Sequence, residues 1–229
     1  MDSDPNLFLA YTIIFWLLSY LVIRKSKSPA NVLFSSSTFL YGVGTLFSFI
    51  GWGPLANFQA SYVVSGFNII IYQKTFFAIA ASFIVLAPLG IYFSGRTILH
   101  GNSGHRDELA VILIIVFLII AFFNLLIYVP TPFRDNFMFE DALTALVLAI
   151  SFIVYFNLYK QIPDYRTNFI LILLGFTFGV VFLLVGLMLF AIGNDSLAEI
   201  MRSVGPFSAV FIILISFTNL PQAIRNRNL

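Results

Sequence analysis

Cysteine is absent from the 229 residues. The chain therefore has no disulfide framework, no thiolate metal site and no cysteine nucleophile, and its redox compartment is not written in the sequence. Charge is scarce too. Asp, Glu, Lys and Arg make up 10% of the chain against 60% apolar residues, which leaves a water-soluble fold short of polar surface. The composition, with its 28 phenylalanines, is that of a chain solvated by lipid. A net charge of +2 built from so few ionised groups gives no basic face for nucleic acid. Lysine occurs only at Lys25, Lys27, Lys74 and Lys160, all at the edges of apolar runs, so a retinal Schiff base in the last helix is excluded.

Catalytic chemistry is equally hard to find. His100 and His105, with Asp107 and Glu108, form the one cluster of metal-ligand types. They lie in a Gly/Ser-containing loop without HExxH spacing or a second cluster to complete a tetrahedron. The reading is a solvated loop with no metal. No nucleophile is paired with a base, and no glycine loop after a strand could cradle a phosphate. The sequence predicts no enzyme, no catalytic residue and no cofactor.

What the chain has is length in apolar runs. A helix crossing roughly 30 Å of hydrocarbon needs about 20 largely apolar residues. Seven runs meet this, at 7–23, 31–50, 74–93, 109–129, 142–159, 169–192 and 197–220. The breaks between them (RKSKSPAN, GWGPLANFQ, SGRTILHGNSGHRDE, PTPFRDNFMFED, KQIPDYRTN and GNDS) collect charges, Gly and Pro. The expected fold is an all-α, seven-transmembrane-helix bundle in a single domain, a multi-pass protein of the cell membrane whose first partner is the bilayer.

Seven crossings put the termini on opposite sides, and positive residues choose the side. With the N-terminus outside, nine basic residues face the cytoplasm (Arg24, Lys25, Lys27, Arg96, Arg106, Lys160, Arg166, Arg225 and Arg227) against three outside (Lys74, Arg134 and Arg202). The orientation is N-outside and C-cytoplasmic. The first run follows acidic MDSDPN and precedes Arg24 and Lys25, the reverse of a signal peptide, so it is expected to stay as an anchor. No charge is expected in the middle of a run, which argues against ion-coupled transport.

Local signals refine this picture. Ser196-Leu197-Ala198-Glu199 is a capping-box pattern that starts the last helix near Leu197, with Pro206 placed to kink it. SYVV, Ser65-Gly66 and FNIIIY read as a short hairpin. Small residues that let backbones approach mark packing faces: Gly175 and Gly179 on the sixth run, and Ser37, Gly44 and Ser48 on the second. Gly205, Ser208, Ile212, Ser216 and Asn219 share one face of the seventh. That stripe lines a cleft, with Pro206 as hinge, or hydrogen-bonds its neighbours. On the outer side Trp52, Tyr62, Tyr72, Asn124, Tyr128 and Arg134 could converge on a ligand pocket, although aromatic residues also anchor at interfaces.

Two resemblances follow from quoted segments. LAPLGIYFSGR and, above all, KQIPDYRTNFILILLGFTFGVVFLLVGLM resemble the seven-helix membrane sensor at the N-terminus of some prokaryotic histidine kinases and related signalling proteins. That family implies an outer signal and a cytoplasmic output domain, and supplies no catalytic residue. Here nine residues follow the last run, so the resemblance implies a sensor module standing alone, or a truncated one, whose last helix is expected to act on a separate cytoplasmic signalling protein. NLPQAIRNRN resembles the Pro-Gln motif of PQ-loop and SWEET facilitators, but Pro221-Gln222 comes after the last helix, and Pro88 and Pro206 are not at equivalent depths. The expected function is a sensor. A small uncoupled facilitator and an accessory subunit of a larger membrane complex are the alternatives.

Overall fold

The computed structural model describes residues 5–25, 27–54, 59–64, 67–100 and 133–220. Its helices are α1 (Pro5–Lys25), α2 (Pro29–Trp52), α3 (Gln73–His100), α4 (Phe133–Gln161), α5 (Arg166–Ala191) and α6 (Asp195–Thr218). A hairpin of β1 (Gln59–Val64) and β2 (Phe67–Tyr72) joins α2 to α3, and a single 3₁₀ turn at Pro163–Tyr165 joins α4 to α5. The strands pair antiparallel from Gln59↔Tyr72 to Val64↔Phe67. Among the described residues six helices are long and apolar enough to cross a bilayer, which marks an integral membrane protein. The fourth apolar run, 109–129, and the loop with His105 lie outside the described residues.

Helix ends follow from local chemistry. Ser28 accepts the Asn31 N–H at 3.3 Å and Pro29 takes the first helical position of α2, where its missing N–H costs nothing. The turn between α5 and α6 is a Schellman motif. Gly193 adopts φ 84°, its N–H reaches the Phe190 carbonyl, and the Asn194 N–H reaches the Leu189 carbonyl. Asn194 then caps α6 by accepting the Leu197 N–H. The cap is thus Asn194 and not Ser196, and α6 begins at Asp195. The reversal at Gly193 brings Asn194 into capping position before Ser196 is reached.

Two helices outrun the apolar segments. α3 continues to His100 and α4 begins at Phe133, although the sequence reading ended the one at 93 and started the other at 142. Hydropathy marks the part of a helix that lies in hydrocarbon, and polar residues beyond that level extend a helix without breaking it.

Sequential helices pack against one another, and small or hydroxyl residues mediate the approach. Ser19 and Ser35 exchange bonds between α1 and α2: their hydroxyls lie 2.8 Å apart, and each also donates to the other's carbonyl at 2.9 Å. Thr12 and Thr45 meet at 2.9 Å. Ser37 donates to the Ala87 carbonyl of α3. Apolar burial adds little between helices already in lipid, so such bonds and close packing carry association. Ser19→Ala should cost about 0.6 kcal/mol, the average for an interhelical hydrogen bond, because Ser35 keeps its bond to the Ser19 carbonyl. Thermal unfolding in detergent checks this.

The largest buried cluster among the described residues draws on all six helices, and Tyr155, Phe176, Phe34 and Phe217 are its fully buried aromatic members along with Phe169. Phe34 of α2 stacks on Phe217 of α6 at 4.2 Å, and Lys25 of α1 donates to the Thr218 carbonyl at 2.9 Å. These two contacts fasten the end of α6 to α1 and α2. A lysine on the last carbonyls of a helix also complements its dipole.

Candidate functional site

An arginine in an apolar helix needs a carboxylate within reach, because guanidinium does not shed its charge. Arg202 of α6 finds Asp141 of α4. Its Nε donates to Oδ2, and its Nη2 donates to Oδ1 at 3.1 Å. The two side chains are only 15% and 11% exposed. This fork-to-fork geometry is the strong form of an ion pair, and its low-dielectric surroundings raise both its attraction and the cost of breaking it.

Local structure places the arginine. The tight Gly193 turn sets the register of α6 against α5, so Arg202 faces Gly186 and Phe190. A Cβ on Gly186 would lie 2.9 Å from Arg202 Cγ, and the guanidinium stands 5.1 Å from the Phe190 ring centre. One helix therefore supplies the space and the ring, while another supplies the carboxylate. Four residues later comes Pro206, which has no N–H to offer the Arg202 carbonyl. The charged contact and the weakest turn of α6 are adjacent.

Below this pair lies a chain of rings. Phe207 stacks on Tyr11 of α1 at 4.2 Å and meets Phe15 edge-on at 5.5 Å. Phe15 in turn stacks on Tyr41 of α2 at 5.3 Å. Tyr41 is 4% exposed and its hydroxyl has no hydrogen-bond partner among the described residues. Ser94 is also buried and sits beside Tyr155, whose hydroxyl donates to the Ile91 carbonyl at 3.3 Å.

The residues singled out from sequence fall in several places. Asn124 and Tyr128 lie outside the described residues, as do the side chains of Trp52, Tyr62, Tyr72 and Arg134. Gly175 and Gly179 lie against α6, where added Cβ atoms would meet Ile213 Cγ1 at 2.6 Å and Ala209 Cβ at 2.9 Å. At Gly44 the neighbours are Ile84 Cγ1 at 2.6 Å and the Ala80 carbonyl at 2.9 Å. Ser48 donates to the Gly44 carbonyl of its own helix. On the α6 stripe, Gly205 presses on Phe182 of α5. Ser216 is buried, its hydroxyl donates to Ile212, and its carbonyl accepts from Asn168 of α5 at 3.4 Å. Ser208 is half-buried and Asn219 is the exposed C-cap. At Gly205 and Ser216 the stripe meets α5 itself.

Neither Asp141 nor Arg202 is among the site residues expected from sequence: both count as charges on the outer side, and Asp141, with Glu140, lies where negative charge favours the N-terminus of the helix at 142. The signal was present. Arg202 falls inside the run 197–220 and Asp141 borders the run at 142, so an arginine within one span and a carboxylate at the edge of another were available to pair.

Both hydrogen bonds join the same two side chains, so the pair ties α4 to α6 at a single point, and parting the helices there breaks the two bonds together. Comparison of the chain with protein-family models, with curated proteins and with solved structures finds no match.

Proposed function

We propose that the chain is a seven-helix sensor of the cell membrane, in which the Asp141–Arg202 contact holds α6 in one of two positions and its release carries a signal to a separate cytoplasmic protein. The observation that carries this reading is the placement of a buried ion pair between α4 and α6, four residues ahead of Pro206. Breaking it frees the segment of α6 that the proline has already weakened. A signal shifts such an equilibrium only by binding the two positions unequally. The resemblance of residues 160–188 to kinase-linked membrane sensors points the same way.

The seventh crossing is assigned to 109–129. α3 and α4 run parallel: Val85 and Leu89 cluster with Val147, while Gly95 lies against Val154 and Tyr155. A chain that leaves one helix and enters a parallel neighbour has to return between them. The Gly193 end of the bundle then faces outward and the Lys25 end faces the cytoplasm by the distribution of basic residues.

Both parts have direct tests. In this cysteine-free chain, Ile192→Cys should react with a membrane-impermeant maleimide in intact cells and Thr167→Cys should not; the opposite pattern inverts the topology. Full-length protein extracted from its native membrane in mild detergent should retain a stoichiometric cytoplasmic signalling protein that is lost when 221–229 are deleted. Retention of large membrane subunits, or of no protein at all, would overturn the sensor reading.

A further inference from the structure

We infer that the α4–α5 edge binds an anionic phospholipid, with the headgroup on Lys160 and Arg166 and an acyl chain along Phe156 and Ile153. The site lies at the Lys25 end of the bundle. It depends neither on the sensor reading nor on which side of the membrane that end faces.

Three observations lead here. The two cations stand over neighbouring rings. Lys160 Nζ lies 4.5 Å from the centre of the Phe156 ring, and the Arg166 guanidinium lies 5.6 Å from that of Tyr159. Those two rings are 6.1 Å apart and within 17° of parallel, so charges from two helices gather on one row of α4 side chains. Next, neither charge is neutralised. Among the described residues Lys160 and Arg166 have no carboxylate partner, and Asp164, exposed in the turn between them, pairs with neither. A ring face attracts a cation without cancelling its charge. Finally, an apolar surface runs inward from the charges. Phe156 and Ile153 lie one and two turns deeper than Lys160 on the same face of α4, and both are exposed.

Depth selects the occupant. The span that contains α4 ends at Gln161 and the next begins at Pro163, which puts both cations at headgroup level. Helical side chains lean toward the N-terminus, so the Lys160 stem runs back along α4 to Phe156, toward the hydrocarbon, instead of snorkelling away from it. An ammonium there is best matched by an anion that is itself anchored at that depth. The phosphate of a phospholipid is so anchored, and its acyl chain has Phe156 and Ile153 to lie on. A free phosphate ion would gain the charge contact alone. The site also selects by lipid charge, because a zwitterionic headgroup brings its own cation and an anionic one does not. Each basic residue near the membrane surface favours anionic lipid by roughly 5-fold.

Native mass spectrometry of the full-length chain in mild detergent, titrated with phosphatidylglycerol against a phosphatidylcholine background, counts the bound anionic lipid. The parent should prefer phosphatidylglycerol by roughly 30-fold at one site. Lys160→Gln and Arg166→Gln should each lower that preference about 5-fold, and together they should abolish it. Exchanging the charges, Lys160→Arg with Arg166→Lys, should keep it, which separates loss of charge from loss of folding. Arg24→Gln with Lys27→Gln removes two exposed cations at the same end of the bundle and should leave it unchanged. An equal loss from that second pair would make the preference a property of general surface charge and overturn the site. A parent that takes up both lipids equally would overturn it too, and so would inorganic phosphate binding alone as tightly as the lipid.

Discussion

Arg202→Met and Asp141→Leu, each alone, should destabilise the bundle by about 3–5 kcal/mol, while the double variant should recover most or all of that loss. The reason is the asymmetry of buried pairs. Removing one partner strands a desolvated charge, whereas replacing both with apolar groups of similar volume removes the desolvation cost together with the attraction. For a chain of this size the single variants should lower the midpoint of thermal unfolding by roughly 6–20 °C. The two singles should also differ from each other. In Arg202→Met the stranded group is a carboxylic acid, which can lose its charge by taking up a proton, so its deficit should shrink as pH falls. In Asp141→Leu the stranded group is a guanidinium, which stays charged, and its deficit should persist at low pH. Its stacking on Phe190 softens this by about 0.5–2 kcal/mol. If the two losses simply add in the double variant, the pair is a surface contact and not the lock proposed for it.

The prediction rests on two residues that hydropathy places at the boundaries of apolar runs, Asp141 just before 142 and Arg202 in the first turns of 197–220. Apolar runs are legible because lipid demands about 20 consecutive apolar residues, so the positions of six helices were readable from hydropathy alone. Their ends were readable only where a local signal acts within a few residues, as at Ser28-Pro29 before α2. At 133–141 the helix runs through FRDNFMFED, where Arg, Asp, Asn and Glu interrupt the apolar residues, so a hydropathy reading starts the helix nine residues late. Charges at such a boundary look like interface residues. Whether a boundary charge points to water or into the bundle depends on helix rotation and on which helix stands opposite, and neither is local. Arg202 was readable as an arginine within a span. That its partner was Asp141 and not Glu140 required the packing of α4 and α6. The small residues of α2 and α5 behave differently, since spacing on one helix face is a local property; Gly175, Gly179 and Gly44 each lie in close contact with a neighbouring helix.

Gly90→Ala should be far more damaging than Gly42→Ala, although both glycines touch neighbours closer than a Cβ tolerates. At Gly90, which with Ser94 makes a small-xxx-small pair on α3, an added Cβ would lie 2.6 Å from the Leu33 carbonyl oxygen and 3.1 Å from the Ser37 nitrogen. These are backbone atoms of α2, which no rotamer change can move aside. The helices must separate, and the Ser37 hydroxyl would be drawn off the Ala87 carbonyl. Overpacking of this kind costs about 1–3 kcal/mol, and Gly90→Leu should exceed the alanine variant. At Gly42 the atoms within 2.5 Å belong to the Trp16 ring, which is 37% exposed and can turn into lipid. Gly42→Ala should therefore stay within about 0.5 kcal/mol, as substitutions at yielding sites do. Thermal unfolding in detergent separates the two cases, because Gly90 meets backbone and Gly42 meets a ring that can turn. Equal losses of stability from the two alanine variants would mean that α2 yields at Ser37 as easily as the Trp16 ring yields at Gly42.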